Sequence, residues 1–115
     1  MIIDAGAGTR VVAAVAPVAR YVFAVDPVAA LRRDLERAVM AQRFDNLFVL
    51  DGRLSLVPLP EATADVLFTR NAIGWQTTDE LEEINRVVKP DGWAAHFPEG
   101  PQVPANVARV LDAED

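Results

Sequence analysis

No cysteine occurs in the 115 residues, so neither a disulfide framework nor a thiolate metal site is available to this chain. Cations are scarce too: 11 Lys and Arg stand against 17 Asp and Glu, a formal net charge of -6. Binding to a nucleic-acid backbone draws on clustered Lys and Arg that displace counterions, and this balance argues against such a partner. His96 is the one histidine. Long apolar runs are missing as well. The longest, 11–25, is broken by Pro17 and Arg20 and falls short of the roughly 20 residues of a membrane span. The opening Met1-Ile2-Ile3-Asp4-Ala5-Gly6 has no basic segment ahead of an apolar one and so does not resemble a secretory signal. A soluble, cytoplasmic protein is the expectation.

What is there suits a packed globule: 51% of the residues are apolar and 24% charged. The length fits one domain over residues 1–115. The apolar pattern alternates short runs with helical spacing. Residues 1–4 form a run that stops at Gly6 and Gly8, and 11–16 reads as a buried helix ending near Pro17. The unit then repeats. Residues 21–25 are β-branched and aromatic and end at Asp26-Pro27, ahead of Val28, Leu31, Leu35, Ala38 and Val39 at helical spacing. A third run, 47–50, closes at Asp51-Gly52. No helix is expected in 53–63, which carries Pro58 and Pro60. Residues 65–69 are a fourth strand candidate; Thr77 with Glu80 predicts a capping box, and Leu81, Ile84, Val87 and Val88 follow at helical spacing. Lys89-Pro90-Asp91-Gly92 should stop that helix, 93–97 should form a fifth strand, and 105–111 a short last helix. Strands alternating with helices predict an α/β, doubly wound parallel sheet covered on both faces.

In such sheets ligands bind beyond the carboxyl ends of the strands, which directs attention to residues 4–9, Asp26-Pro27, 51–53, Arg70-Asn71 and His96. Gly6 and Gly8 permit close approach of the backbone to a ligand. Asp26 stands 22 residues after Asp4, at the end of the next strand, where a carboxylate can accept both hydrogen bonds of a ribose diol. Each feature has a plainer reading: glycines at a strand-to-helix turn are often structural, and an Asp before Pro often caps a helix. A nicotinamide-binding fingerprint is disfavoured because Val11 stands where close packing wants a small residue.

Four segments in one order resemble the class I S-adenosylmethionine-dependent methyltransferases, especially those of ubiquinone and menaquinone biosynthesis. They are Asp4-Ala5-Gly6-Ala7-Gly8-Thr9; Ala24-Val25-Asp26-Pro27; Asp51 with Val57-Pro58-Leu59-Pro60 and Asp65; and Arg86-Val87-Val88-Lys89-Pro90-Asp91-Gly92. The resemblance covers about residues 1–98. It implies a Rossmann-like sheet of about five strands in the order 3-2-1-4-5, without the family's C-terminal antiparallel pair, and S-adenosyl-L-methionine as cofactor. It implies that the backbone of Ala5, Gly6, Ala7 and Gly8 faces the methionyl part, with Asp4 near its amino group. Asp26, followed by Pro27, would hold the ribose, Asp51 the adenine amine, and Gly52 or Arg53 would meet the ring through a backbone N–H. Arg70 and Asn71 would lie beside the methyl group.

The chain departs from the family at Arg10, where a third glycine is usual, and it lacks the family's flanking elements, as a truncated relative would. The expected activity is methyl transfer to a small-molecule acceptor, with a cofactor-binding or scaffold module as the alternative. No metal is required, and no catalytic residue is assigned; His96 is a candidate base or a structural residue. The Asn-Pro-Pro-Tyr type of motif seen in amino-methylating enzymes is absent at 69–72, which argues mildly against adenine or glutamine as acceptor. Exposed sheet edges make a homodimer or a partner chain a further expectation.

Overall fold

The computed structural model describes residues 1–6, 8–70, 73–74 and 76–97, with the backbone alone at 8–11, 70 and 97. The chain runs β1 (Ile2–Ala5), α1 (Gly8–Val15), a 3-10 turn (Ala16–Val18), β2 (Val22–Asp26), α2 (Ala29–Gln42), β3 (Leu47–Asp51), β4 (Ala64–Arg70), α3 (Thr77–Val87) and β5 (Val88–Phe97). One sheet holds all five strands in the order β3-β2-β1-β4-β5, and every neighbouring pair is parallel. This is the Rossmann-like arrangement predicted from the sequence. The central position of β1 explains why its four residues are apolar apart from Asp4: a strand flanked on both edges and covered on both faces meets little water.

The period of two along the strands divides the core. Val22 and Ala24 of β2 face α1 and α2, packing with Val12, Ala16, Leu35 and Leu47. On the other face Ile3, Ala5, Val25 and Leu67 pack with Val87 of α3 and with Leu54 and Val57 from the segment after β3. Burying each of these larger side chains contributes about 1.5–3 kcal/mol.

That second face is covered differently along its width. No helix follows β3, in agreement with the reading of 53–63. Arg53 and Leu56 form an isolated antiparallel bridge there, and a clamp on α3 holds the segment down. Arg86 donates to the carbonyls of Leu59 (2.9 Å) and Val57 (2.9 Å), while Glu83 accepts the Val57 N–H at 2.7 Å and pairs with Arg86 Nε at 2.6 Å. Beyond its reach, at the β3 edge, Phe48 stacks on Phe23 with centroids 5.3 Å apart and stays partly exposed beside Tyr21.

Two local expectations are corrected. Thr77 and Glu80 do not form a capping box: Gln76 occupies the cap position without a side-chain bond, and Glu80 accepts the Gly74 N–H at 2.9 Å. The interaction still satisfies a donor ahead of the helix, but Thr77 lies one position too late to cap it. The α3 helix also ends before Lys89-Pro90-Asp91-Gly92 rather than at it, and β5 begins at Val88. Ala64 faces Val88, but Val66 faces Trp93, so the residues between bulge out of the ladder. Pro90 lacks an N–H for a ladder bond, and Gly92 passes so close to β4 that a Cβ would stand 2.8 Å from the Asp65 carbonyl. The expected helix at 105–111 lies outside the described residues.

Candidate functional site

Parallel pairing puts the residues singled out by the sequence along one edge of the sheet. Ala5 is the register partner of Val25 on one side and of Thr69 on the other, and Asp26 is that of Asp51. Asp4, Asp26 and Asp51 thus arrive at the carboxyl ends of three adjacent strands, separated in sequence but neighbours in the sheet.

Their settings differ. Asp4 is 1% exposed. The turn after β1 reverses at Gly6, whose φ of 76° lies in the left-handed region, and the Gly6 N–H returns to the Val25 carbonyl at 3.2 Å. Gly8 opens α1. Asp26 is also buried. Its Oδ1 accepts the Val28 N–H at 2.8 Å, an Asx turn that leads past Pro27 into α2; Val28, not Asp26, holds the cap position of that helix, without a side-chain bond, so the plainer capping reading gives way to a turn-forming one. Asp51, by contrast, leaves its side chain 74% exposed and pairs with Arg32 at 3.1 Å. Gly52 is tight: a Cβ would stand 2.7 Å from Pro58 Cδ and 3.0 Å from Val25 Cγ1. Arg53 turns the chain by accepting the Leu56 N–H on its carbonyl at 3.0 Å.

Asp4, Gly6, Val12, Ala24, Val25, Asp26 and Leu35 line a cleft of about 150 Å³ that is open to solvent. Its carboxylates suit hydroxyl and ammonium donors and repel phosphate. No group of three or more His, Cys, Asp or Glu residues among the described residues is placed to hold a metal ion.

Arg70 ends β4, beside Phe97 of β5, and its side chain is outside the described atoms, as is that of Arg10. Ala7, Asn71 and Trp75 lie outside the described residues. Ile73, between β4 and α3, packs against the core. His96 is brought against Thr69: its Nδ1 lies 2.6 Å from the Thr69 hydroxyl, leaving Nε2 as the second ring position.

Sequence reasoning missed Arg32. It lies one turn into α2, and its Nη1 donates to the Asp26 carbonyl at 3.0 Å as well as to Asp51. The signal was its place six residues after Asp26 on a helix whose start Asp26 itself fixes; nothing in the Arg32-Arg33 pair says which one turns toward the sheet.

Comparison with known proteins adds a family. The family described as methyltransferase domain matches residues 3–96. No curated protein matches the sequence at a significant level. Among solved structures, a SAM-dependent methyltransferase from Aquifex aeolicus superposes with a TM-score of 0.76 at 21% identity, over 97% of this chain and 69% of that one. The YcgJ protein from Bacillus subtilis gives 0.75 at 22%, over 80% and 41%. Phosphoethanolamine N-methyltransferase 1 from Haemonchus contortus, solved with phosphoethanolamine and S-adenosylhomocysteine, gives 0.74 at 19%, over 89% and 22%. The chain therefore spans between about a fifth and about two thirds of the length of these relatives.

Proposed function

The chain belongs to the methyltransferase domain family, and from that premise we propose that it binds S-adenosyl-L-methionine along the carboxyl edge of β1, β2 and β3 and passes the methyl group to a small-molecule acceptor. The observation that carries the reading is the convergence of Asp4, Asp26 and Asp51 on that edge beside a positive-φ glycine turn.

In this reading Asp26 accepts from the ribose hydroxyls with the capacity that the Val28 N–H leaves. Its second oxygen accepts no bond among the described residues. Asp4 faces the methionyl ammonium, with the backbone of Ala5, Gly6, Ala7 and Gly8 beside it. Asp51 accepts from the adenine amine, and the Gly52 or Arg53 backbone meets the ring. Arg70 and Asn71 flank the methyl group. A phosphate-bearing dinucleotide is a poorer fit to the same edge, because Asp4, Asp26 and Asp51 stand at its strand ends and Arg32 is already engaged by Asp51 and the Asp26 carbonyl.

Held by these residues, S-adenosyl-L-methionine would supply an electrophilic methyl group, with the thioether as its leaving group. The protein's part is to align the two reactants and exclude water, which lowers the barrier without any covalent role for a side chain. In this reading His96, held against the Thr69 hydroxyl at the end of β5, is the candidate base for the acceptor.

The narrow cleft favours a second reading, a module that binds the nucleoside without turnover. Calorimetry with S-adenosylmethionine and S-adenosylhomocysteine, followed by a methyl-transfer assay over an acceptor panel, separates the two. The enzyme reading expects heat and turnover, the module heat alone. No heat and no thermal shift at millimolar ligand rejects both.

A further inference from the structure

We propose that Arg32 sets the base preference of this site by pinning the Asp51 carboxylate so that one oxygen stays directed to the exocyclic amine of a purine. The proposal rests on the nucleoside placement given above.

An aspartate whose side chain is 74% exposed has no packing to select a rotamer, and each orientation competes with water. Arg32 supplies the missing constraint. Its own side chain is only 20% exposed, and Nη1, which carries two hydrogens, donates one to the Asp26 carbonyl and one to Asp51 Oδ1. The carbonyl anchor fixes the guanidinium to the end of β2. The ion pair then fixes Asp51 relative to Asp26, its register partner. Because Oδ1 is the oxygen engaged, Oδ2 is left to accept from a ligand, and it has no protein partner among the described residues.

The anchor is rigid for a reason that begins in the sequence. Asp26 Oδ1 takes the Val28 N–H, and the Arg32 N–H returns to the Val28 carbonyl at 3.0 Å, so the first turn of α2 is tied to the strand that the guanidinium touches. The positive charge between Asp26 and Asp51 also softens the repulsion of two neighbouring carboxylates. Lysine would substitute only in part: its ammonium sits on a shorter, flexible stem and lacks the planar guanidinium that holds Nη1 in place between the two acceptors. Arg32 is therefore a positioning residue, acting through Asp51, and it couples the ribose end of the site to the base end.

The test compares binding of S-adenosylhomocysteine with that of S-inosylhomocysteine, in which a carbonyl oxygen replaces the exocyclic amine and faces the carboxylate. Wild type, Arg32→Met, Arg32→Lys, Asp51→Asn and the Arg32→Met/Asp51→Asn double variant are titrated by calorimetry, each with a thermal-unfolding control. Wild type is expected to prefer the adenosyl ligand by roughly fivefold, the scale of one partly exposed charged contact. Arg32→Met should bring that preference below roughly twofold, with Arg32→Lys in between, and should change it no further once Asp51 is Asn. A preference unchanged in Arg32→Met, or shifted equally in both backgrounds, overturns the proposal. If Arg32→Met fails to fold, the Arg32→Lys titration decides by the same criterion. Wild type that binds neither ligand rejects the site reading and the proposal together; wild type that binds with an Arg32-independent preference rejects the proposal alone.

Discussion

The carboxylates on either side of this sheet are used in opposite ways. Around α3 every well-placed acid is consumed by the protein: Glu80 takes the Gly74 N–H, Glu83 takes Val57 and Arg86, and Asp65 takes Lys89 and the Met1 amine. At the carboxyl edge of β2 and β3, Asp26 and Asp51 each give one oxygen to the fold and keep the other. The first group does the work a helix after β3 would have done, because Glu83 and Arg86 strap the segment at 52–60 to the sheet. The second group offers the acceptors that the proposed donor-rich ligand requires. Substitutions should separate these roles, with large losses of stability and intact binding on one side and the reverse on the other.

The largest effect is expected at Arg86. Arg86→Met removes the donors to the Val57 and Leu59 carbonyls and leaves the part-buried Glu83 without its cation. Stability should fall by about 2–3 kcal/mol, read by urea denaturation, with nucleoside affinity within about twofold of wild type. Glu83 also makes the strap acid-sensitive. The Arg86 hydrogen bonds hold its carboxyl below the ordinary value of 4.5, burial opposes them, and the Val57 N–H adds to them. A carboxyl depressed in the folded state contributes stability that is present above pH 4.5 and is lost as the pH falls through the folded value. Glu83→Gln should be less stable at neutral pH and should flatten the loss below 4.5, and an unaltered acid limb would sever the strap from the pH response.

Next comes Gly92. Its Cβ would meet the carbonyls of Asp65 at 2.8 Å and Ala64 at 3.1 Å, and backbone in a paired strand yields less readily than a side chain. Gly92→Ala should cost about 1–3 kcal/mol of stability and leave binding at the distant β2–β3 edge alone.

Crossing to that edge, Asp26→Asn keeps an oxygen for the Val28 N–H and removes the charge. Stability should change by less than about 0.5 kcal/mol, while S-adenosylhomocysteine affinity falls by about 1–2 kcal/mol by calorimetry. Equal losses in both would place Asp26 with the structural acids.

The contrast between the two sides also marks what the sequence made legible. Asp4, Asp26 and Asp51 stand directly after apolar runs, and the end of a parallel strand is where such sheets expose side chains to a ligand, so pattern alone delivers them to one edge. The order of the strands followed from the motifs and is as observed. The strap was not legible, because Glu83 and Arg86 meet Val57 and Leu59 across 26 to 29 residues, and no local rule connects them. Arg32 escaped for the same reason. Its partners are a backbone carbonyl and an acid 19 residues on. Thr77 misled because a capping-box spacing was present one position inside the true helix start, where the long reach of Glu80 to Gly74 serves instead.

The smallest effect is expected at Asp51, and it is the one that bears most closely on how the edge is divided. Asp51→Asn retains the shape but removes the charge that Arg32 pairs with, so the guanidinium keeps its Asp26 carbonyl anchor and loses its hold on residue 51. Because the Asp51 side chain is mostly exposed, the pair carries little stability, and unfolding should shift by no more than about 0.5 kcal/mol. Binding of S-adenosylhomocysteine should weaken by about 0.5–1 kcal/mol, less than at Asp26, because water already competes at an exposed carboxylate and does so less at a buried one. A larger loss at Asp51 than at Asp26 would reverse the assignment, making the β3 acid the principal anchor and the buried Asp26 chiefly the acceptor of the turn ahead of α2.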